Sequence, residues 1–178
     1  MSRYVLTVAV AALAGAVLGA QKTTEVHPGK AGSPHVRTAW TIDGAAISIE
    51  YGRPFVKGRP VEQVAPFGRE WRTGADQATT LITDKPLKFG TLSVPAGTYT
   101  LYTVPGEKEW QLVVSKRTGQ WGVPYPAGQD LGRAPMTVGK AKTPVEQLTI
   151  SVDDTRAGGT LRVEWGDTSA SIPFTVGQ

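Results

Sequence analysis

Cysteine is absent from this 178-residue chain, and so is asparagine. Without Cys there is no disulfide framework, no cysteine zinc site, no iron–sulfur cluster and no thiol nucleophile. Without Asn there is no acceptor for N-glycosylation. Net charge is also scarce: 19 Lys+Arg against 15 Asp+Glu leave only +4, too little to argue for a nucleic-acid surface. Helix signals are missing as well. The 21 Gly and 13 Pro exceed the roughly 12% that the two supply in an average chain, and both are costly inside helices. Known catalytic signatures are lacking too: there is no Gly-x-Ser-x-Gly elbow and no His-Glu-x-x-His pair. The Gly52 to Gly58 spacing, followed by Arg59, does not make a P-loop.

The amino terminus has the layout of a secretory signal peptide. Met1-Ser2-Arg3 is a short cationic start, Tyr4 to Leu18 is an apolar and small-residue run, and Gly19-Ala20 offers small residues at a cleavage point. The run is shorter than the ~20 residues a membrane helix needs, and a lipoprotein anchor would require a Cys. Residues 1–20 are therefore expected to be a leader, which leaves no integral membrane segment and places the mature protein in the periplasm or outside the cell. Residues 21–34 mix Lys, Thr, Gly, Ser and Pro without an apolar period and read as a flexible lead-in.

Beyond residue 35 the pattern alternates with period two. Ile47, Ile49 and Tyr51 share one face, as do Leu148, Ile150 and Val152, then Leu161, Val163 and Trp165, then Ile172, Phe174 and Val176. Such alternation marks strands with one buried face. Pro95-Ala96-Gly97, Pro105-Gly106 and Gly166-Asp167 read as turns between strands, and Val61–Phe67 as a single helical turn. The expectation is one all-β domain over 35–178, an antiparallel β-sandwich or open barrel of about nine to eleven short strands.

Several phrases in the middle of the chain occur in a familiar order. They are Tyr51-Gly52-Arg53-Pro54, Lys57-Gly58-Arg59, Phe67-Gly68, Trp71-Arg72-Thr73-Gly74-Ala75-Asp76, Val94-Pro95-Ala96-Gly97-Thr98-Tyr99, Pro105-Gly106, Trp110 and Gln120-Trp121-Gly122. In that register the chain resembles the bacterial domain-of-unknown-function family 2911, from about Ser33 to Val176. The resemblance implies an exported single-domain protein and brings no established activity with it.

Tyr51 to Asp76 is the segment richest in possible chemistry. It carries Arg53, Lys57, Arg59, Arg69 and Arg72 against three acids, with Tyr51, Phe55, Phe67 and Trp71 interleaved. A long irregular segment inside a small domain is often functional, and guanidinium groups beside aromatic faces suit a carboxylate, phosphate or sulfated sugar. Tyr51, Arg53, Lys57, Arg59, Trp71, Arg72, Asp76 and the Gly-flanked Trp121 are the candidate ligand-binding residues. The competing reading is structural: Arg72 pairs with Asp76 in a turn, and Arg53 and Arg59 tie the loop to the sheet. His27 and His35, the only histidines, match no metal-ligand spacing, so no metal and no cofactor is expected. Glu50, Glu70, Asp76 and Glu109 could supply the paired carboxylates of a glycosidase, but no spacing singles out a pair, and the catalytic residues of any enzyme here are unknown. Three functions follow: a non-enzymatic module binding a small anionic or carbohydrate ligand, a hydrolase of an envelope or extracellular polymer, or a structural protein of the envelope.

Overall fold

The computed structural model describes residues 21–30 and 32–178, so the expected leader lies outside the described residues. Ten strands form one antiparallel sheet that does not close into a barrel, in agreement with the all-β expectation. In chain order they are β1 (Lys22–His27), β2 (His35–Ile42), β3 (Ala45–Gly52), β4 (Ala75–Thr83), β5 (Leu87–Phe89), β6 (Leu92–Val94), β7 (Gly97–Val104), β8 (Glu109–Ser115), β9 (Asp130–Thr155) and β10 (Gly158–Val176). Across the sheet they run β1-β2-β3-β4-β7-β8-β9-β10-β5-β6. The helical turn expected near residue 61 is a single 3₁₀ turn at Val61–Gln63.

The alternation seen in the sequence decides which face is buried. Val36, Thr38, Trp40 and Ile42 of β2 point inward with Ala45, Ile47, Ile49 and Tyr51 of β3. All of these except Thr38 join Leu148, Ile150, Val152, Leu161, Val163 and Trp165 of the last two strands in one hydrophobic cluster. The sheet can enclose a core with itself because β9 and β10 are long, at 26 and 19 residues. The first part of β9 pairs with β8; its later part, from Val145 on, pairs with β10 and, through a bridge at Gln147, with Phe55. Tyr51 spans the interior between the two walls: its hydroxyl accepts the Ile150 N–H at 2.8 Å and faces the Ile150 carbonyl at 3.4 Å.

Two local expectations are corrected. Gly166-Asp167 does not end a strand; it is a bulge within β10, where the register with β9 slips on both sides of Gly166. Gly166 has φ +58, a left-handed conformation that only glycine adopts without strain, so the strand bends there instead of stopping. The lead-in, expected to be flexible, contributes β1, which pairs with β2 from Lys22↔Ala39 to His27↔His35. An edge strand needs only backbone partners on one side, so its exposed residues carry no apolar period to read.

Loop 116–129 packs on the outer face of β4 and β7, which explains why both faces of β7 are buried. The Tyr102 hydroxyl donates to the Gly122 carbonyl, the Tyr102 ring meets Tyr125 edge-on, and the Ala78 N–H donates to the Gln120 carbonyl. This loop brings Trp121 alongside Arg72.

Candidate functional site

The chain leaves β3 at Gly52 and returns at β4, and the irregular segment between them is pinned at several points. Arg53 caps the far wall, with Nε donating to the Leu148 carbonyl at 2.8 Å and Nη2 to Thr149 Oγ1 at 3.0 Å. Arg59 ties its own loop, donating to the carbonyls of Val56 and Phe55 at 3.0 and 2.7 Å. The Lys57 N–H donates to Glu146 Oε1, which leaves the ammonium free of that contact. Trp71 exchanges backbone hydrogen bonds with Thr103 and stacks on Trp165, ring centroids 5.6 Å apart. Tyr51 and Trp71 are thus core residues and Arg53 is an anchor, as the structural reading of the segment had it for Arg53.

Thr73 and Asp76 both have left-handed backbone, φ 54 and φ 59. They flank a bulge of β4: Gly52 pairs with Ala75 but Glu50 pairs with Thr80, so the residues between arch away from β3. Thr73 Oγ1 donates to the Trp71 carbonyl and faces Thr103 Oγ1, while Thr79 Oγ1 donates to the Thr73 carbonyl. The expected Arg72–Asp76 pair does not form: among the described residues the carboxylates within 4.0 Å of a basic side chain do not include this combination. Arg72 Nη1 donates instead to the Trp121 carbonyl at 3.1 Å, and its guanidinium lies 5.3 Å from the Trp121 ring centre. Asp76 Oδ2 accepts the Lys30 N–H at 2.6 Å.

Lys57, Arg59 and Arg72 meet at one cleft of about 330 Å³. Phe55, Pro54 and Val64 give it an apolar flank, and Gly74, Ala75, Gly32 and Ser33 close the other side. No carboxylate lines it, and none of the three cations has a carboxylate within 4.0 Å among the described residues. Burial pushes the Arg72 guanidinium pKa down, with the nearby Asp76 charge opposing that shift; arginine stays charged regardless. Tyr51, Arg53, Trp71, Asp76 and Trp121 lie outside the cleft. Trp121 is 43% exposed, but its ring already carries Arg72 and, at 5.4 Å, the Lys30 ammonium. Its carbonyl and its ring hold Arg72 in place.

The chain matches the family described as a protein of unknown function, DUF2911, over residues 33–174. It belongs to that family. No curated protein and no solved structure matches it. In this DUF2911 domain the four carboxylates considered for a catalytic pair have separate surroundings. Glu50 is held by Arg37 at 2.7 Å, Glu70 by Arg133 at 3.0 Å, Asp76 faces the lead-in, and Glu109 opens β8. Among the described residues no group of three or more His, Asp or Glu side chains is arranged to hold a metal, and no helix is long and apolar enough to cross a membrane.

Sequence reasoning missed one cluster of the DUF2911 domain. His27 and His35 are cross-strand partners with rings stacked 4.3 Å apart, and His35 Nε2 lies 3.7 Å from Asp76 Oδ2. The turn residues Pro28-Gly29 and Gly32-Ser33-Pro34 could have suggested a hairpin placing the two histidines opposite each other. A second network, Tyr125–Asp130–Arg133–Glu70, joins loop 116–129 to the chain before β4. Burial and the Asp130 carboxylate push the Tyr125 phenol up to about 12.

Proposed function

We propose that this domain is a non-enzymatic binding module, exported by its leader, that holds a small multivalent anion in the cleft of Lys57, Arg59 and Arg72. The observation that carries the reading is three cations around one concavity with no carboxylate among the lining residues. The two arginines are anchored through backbone carbonyls at Phe55, Val56 and Trp121. Carbonyl anchoring orients a guanidinium without neutralising it, so the positive charge remains available to a ligand. The small volume suits a carboxylate- or phosphate-bearing molecule, with Phe55 and Val64 against its apolar part.

The test is thermal stabilisation by inorganic phosphate, citrate and a sulfated disaccharide, measured on the wild type and on the double variant Arg59→Ala, Arg72→Ala. A ligand at 100 times its Kd stabilises by about 2.7 kcal/mol, a shift that is easily read. Binding by a folded double variant as tight as that of the wild type would overturn the proposal, as would a wild type indifferent to all three anions.

A further inference from the structure

His35 is 2% exposed and its Nε2 has no hydrogen-bond partner. A buried polar atom left unpaired is costly, and here it faces a carboxylate across 3.7 Å, too far for a hydrogen bond and close enough for an ion pair. The same oxygen, Asp76 Oδ2, accepts the Lys30 N–H at 2.6 Å. The lid over His35 is the lead-in: His27 stacks on its ring, and His27 Nδ1 accepts the Gly29 N–H. Gly29 and Gly32 both have left-handed backbone, φ 72 and φ 77, so the strap turns at residues suited to a hinge. Beneath the ring there is no slack, since a Cβ at Gly52 would stand 2.7 Å from His35 Nε2.

We propose that His27, His35 and Asp76 form a pH-operated latch that holds the strap Pro28–Lys30 closed at neutral pH and releases it on acidification. The charged and titratable groups facing His35 are His27 from β1, Glu50 from β3 and Asp76 from β4. Burial and the facing His27 lower the affinity of His35 for a proton, and Asp76, the Ala75 carbonyl and Glu50 only partly oppose them. A closed strap therefore keeps His35 neutral, whereas an open strap hydrates it and lets it charge near the ordinary histidine value of about 6.5. Protons bind the open form better, so falling pH favours opening. Opening separates the Lys30 N–H from Asp76 and lifts Gly32 and Ser33, which wall the cleft. The consequence for anion access rests on the binding reading above; the latch itself does not.

The test is hydrogen exchange of the Lys30 amide, read by NMR on the purified protein in phosphate-free buffer from pH 7.5 to 4.5 and corrected for intrinsic exchange. Without an anion present, latch and binding site can fail independently. The expected result is a loss of Lys30 protection below pH 6.5, by up to tenfold for each unit by which the closed strap lowers the His35 pKa. His35→Gln, neutral throughout, should abolish the pH dependence, and His27→Gln, which removes the facing imidazole, should move the midpoint upward. Wild-type protection constant within twofold overturns the latch, as does a His35→Gln variant with the wild-type profile. If His35→Gln does not fold, a His27→Gln midpoint that stays put or falls overturns it.

Discussion

Arg72 is the residue on which anion binding should depend most, because it lines the cleft and its guanidinium is clamped by Trp121. An anion about 4 Å from a cation at an effective dielectric near 20 gains roughly 4 kcal/mol of Coulomb energy. Dehydration of both partners reduces the net value of such a charge-assisted hydrogen bond to about 1.5–3 kcal/mol. Arg72→Ala should therefore weaken citrate or phosphate binding by about tenfold to a hundredfold. Arg72→Lys keeps the charge but loses the planar fork that reaches the Trp121 carbonyl, and should fall between. Arg53 is the matched control, since it donates to Leu148 and Thr149 and does not line the cleft. Arg53→Ala should cost stability while leaving affinity within twofold. Titration calorimetry at 20 and 150 mM NaCl reads all three, and the added salt should weaken wild-type binding as screening grows. A folded Arg72→Ala that binds within twofold of wild type, or an affinity indifferent to salt, would refute the electrostatic argument.

Three further outcomes concern the frame around the cleft. Tyr51→Phe removes the hydroxyl that pairs the buried Ile150 N–H and should destabilise by about 1–3 kcal/mol, read as a lower urea midpoint at unchanged slope; a loss under about 0.5 kcal/mol would show that the two walls do not depend on this bridge. Because the folded His35 pKa is lowered, the unfolded chain binds more protons at mildly acid pH, so stability should hold above about 6.5 and decline as pH falls toward the folded value; stability constant from pH 7 to 5, or equal decline in His35→Gln, contradicts this. Tyr125, pushed up to about 12, works in the opposite direction: an unfolded phenol ionises first, so its share of stability is lost as pH rises above about 10, and Asp130→Asn should bring its ultraviolet titration down toward that value.

The strands of this fold were legible wherever one face is wet and the other dry, as in Ile47-Ser48-Ile49-Glu50-Tyr51. Legibility failed at β1, an edge strand with no buried face, and at Gly166, where a glycine that looked like a turn bends a continuing strand. The site divided for the same reason. Lys57, Arg59 and Arg72 stood out as cations in an irregular segment, and they share a cleft. Tyr51 belongs to the alternation of β3 and Trp71 bridges to Thr103, so both are core residues that proximity in sequence had grouped with the cations. The contribution of the lead-in depends on cross-strand register between His27 and His35, and composition carries no signal for register.

Position 76 shows how the strap and the cleft are linked. The bulge of β4 forces a left-handed residue there, a conformation costing non-glycine residues about 1–3 kcal/mol. Glycine would relieve that cost but could not accept the Lys30 N–H. Among residues with side chains, Asp and Asn tolerate the left-handed region best, and both carry a suitable oxygen. Either would tether the strap; only Asp places a negative charge beside both His35 and Arg72. That charge moderates the response of the latch to protons, and it opposes the effect of burial on Arg72 while standing outside the residues that line the cleft. Asp76→Asn should therefore keep the strap closed at neutral pH and enlarge the acid-induced loss of protection, because the carboxylate that favours protonated His35 in the closed form is gone. Protection of the Lys30 amide in this variant measures it. A loss no larger than that of the wild type would mean that Asp76 acts on the strap through its hydrogen bond alone.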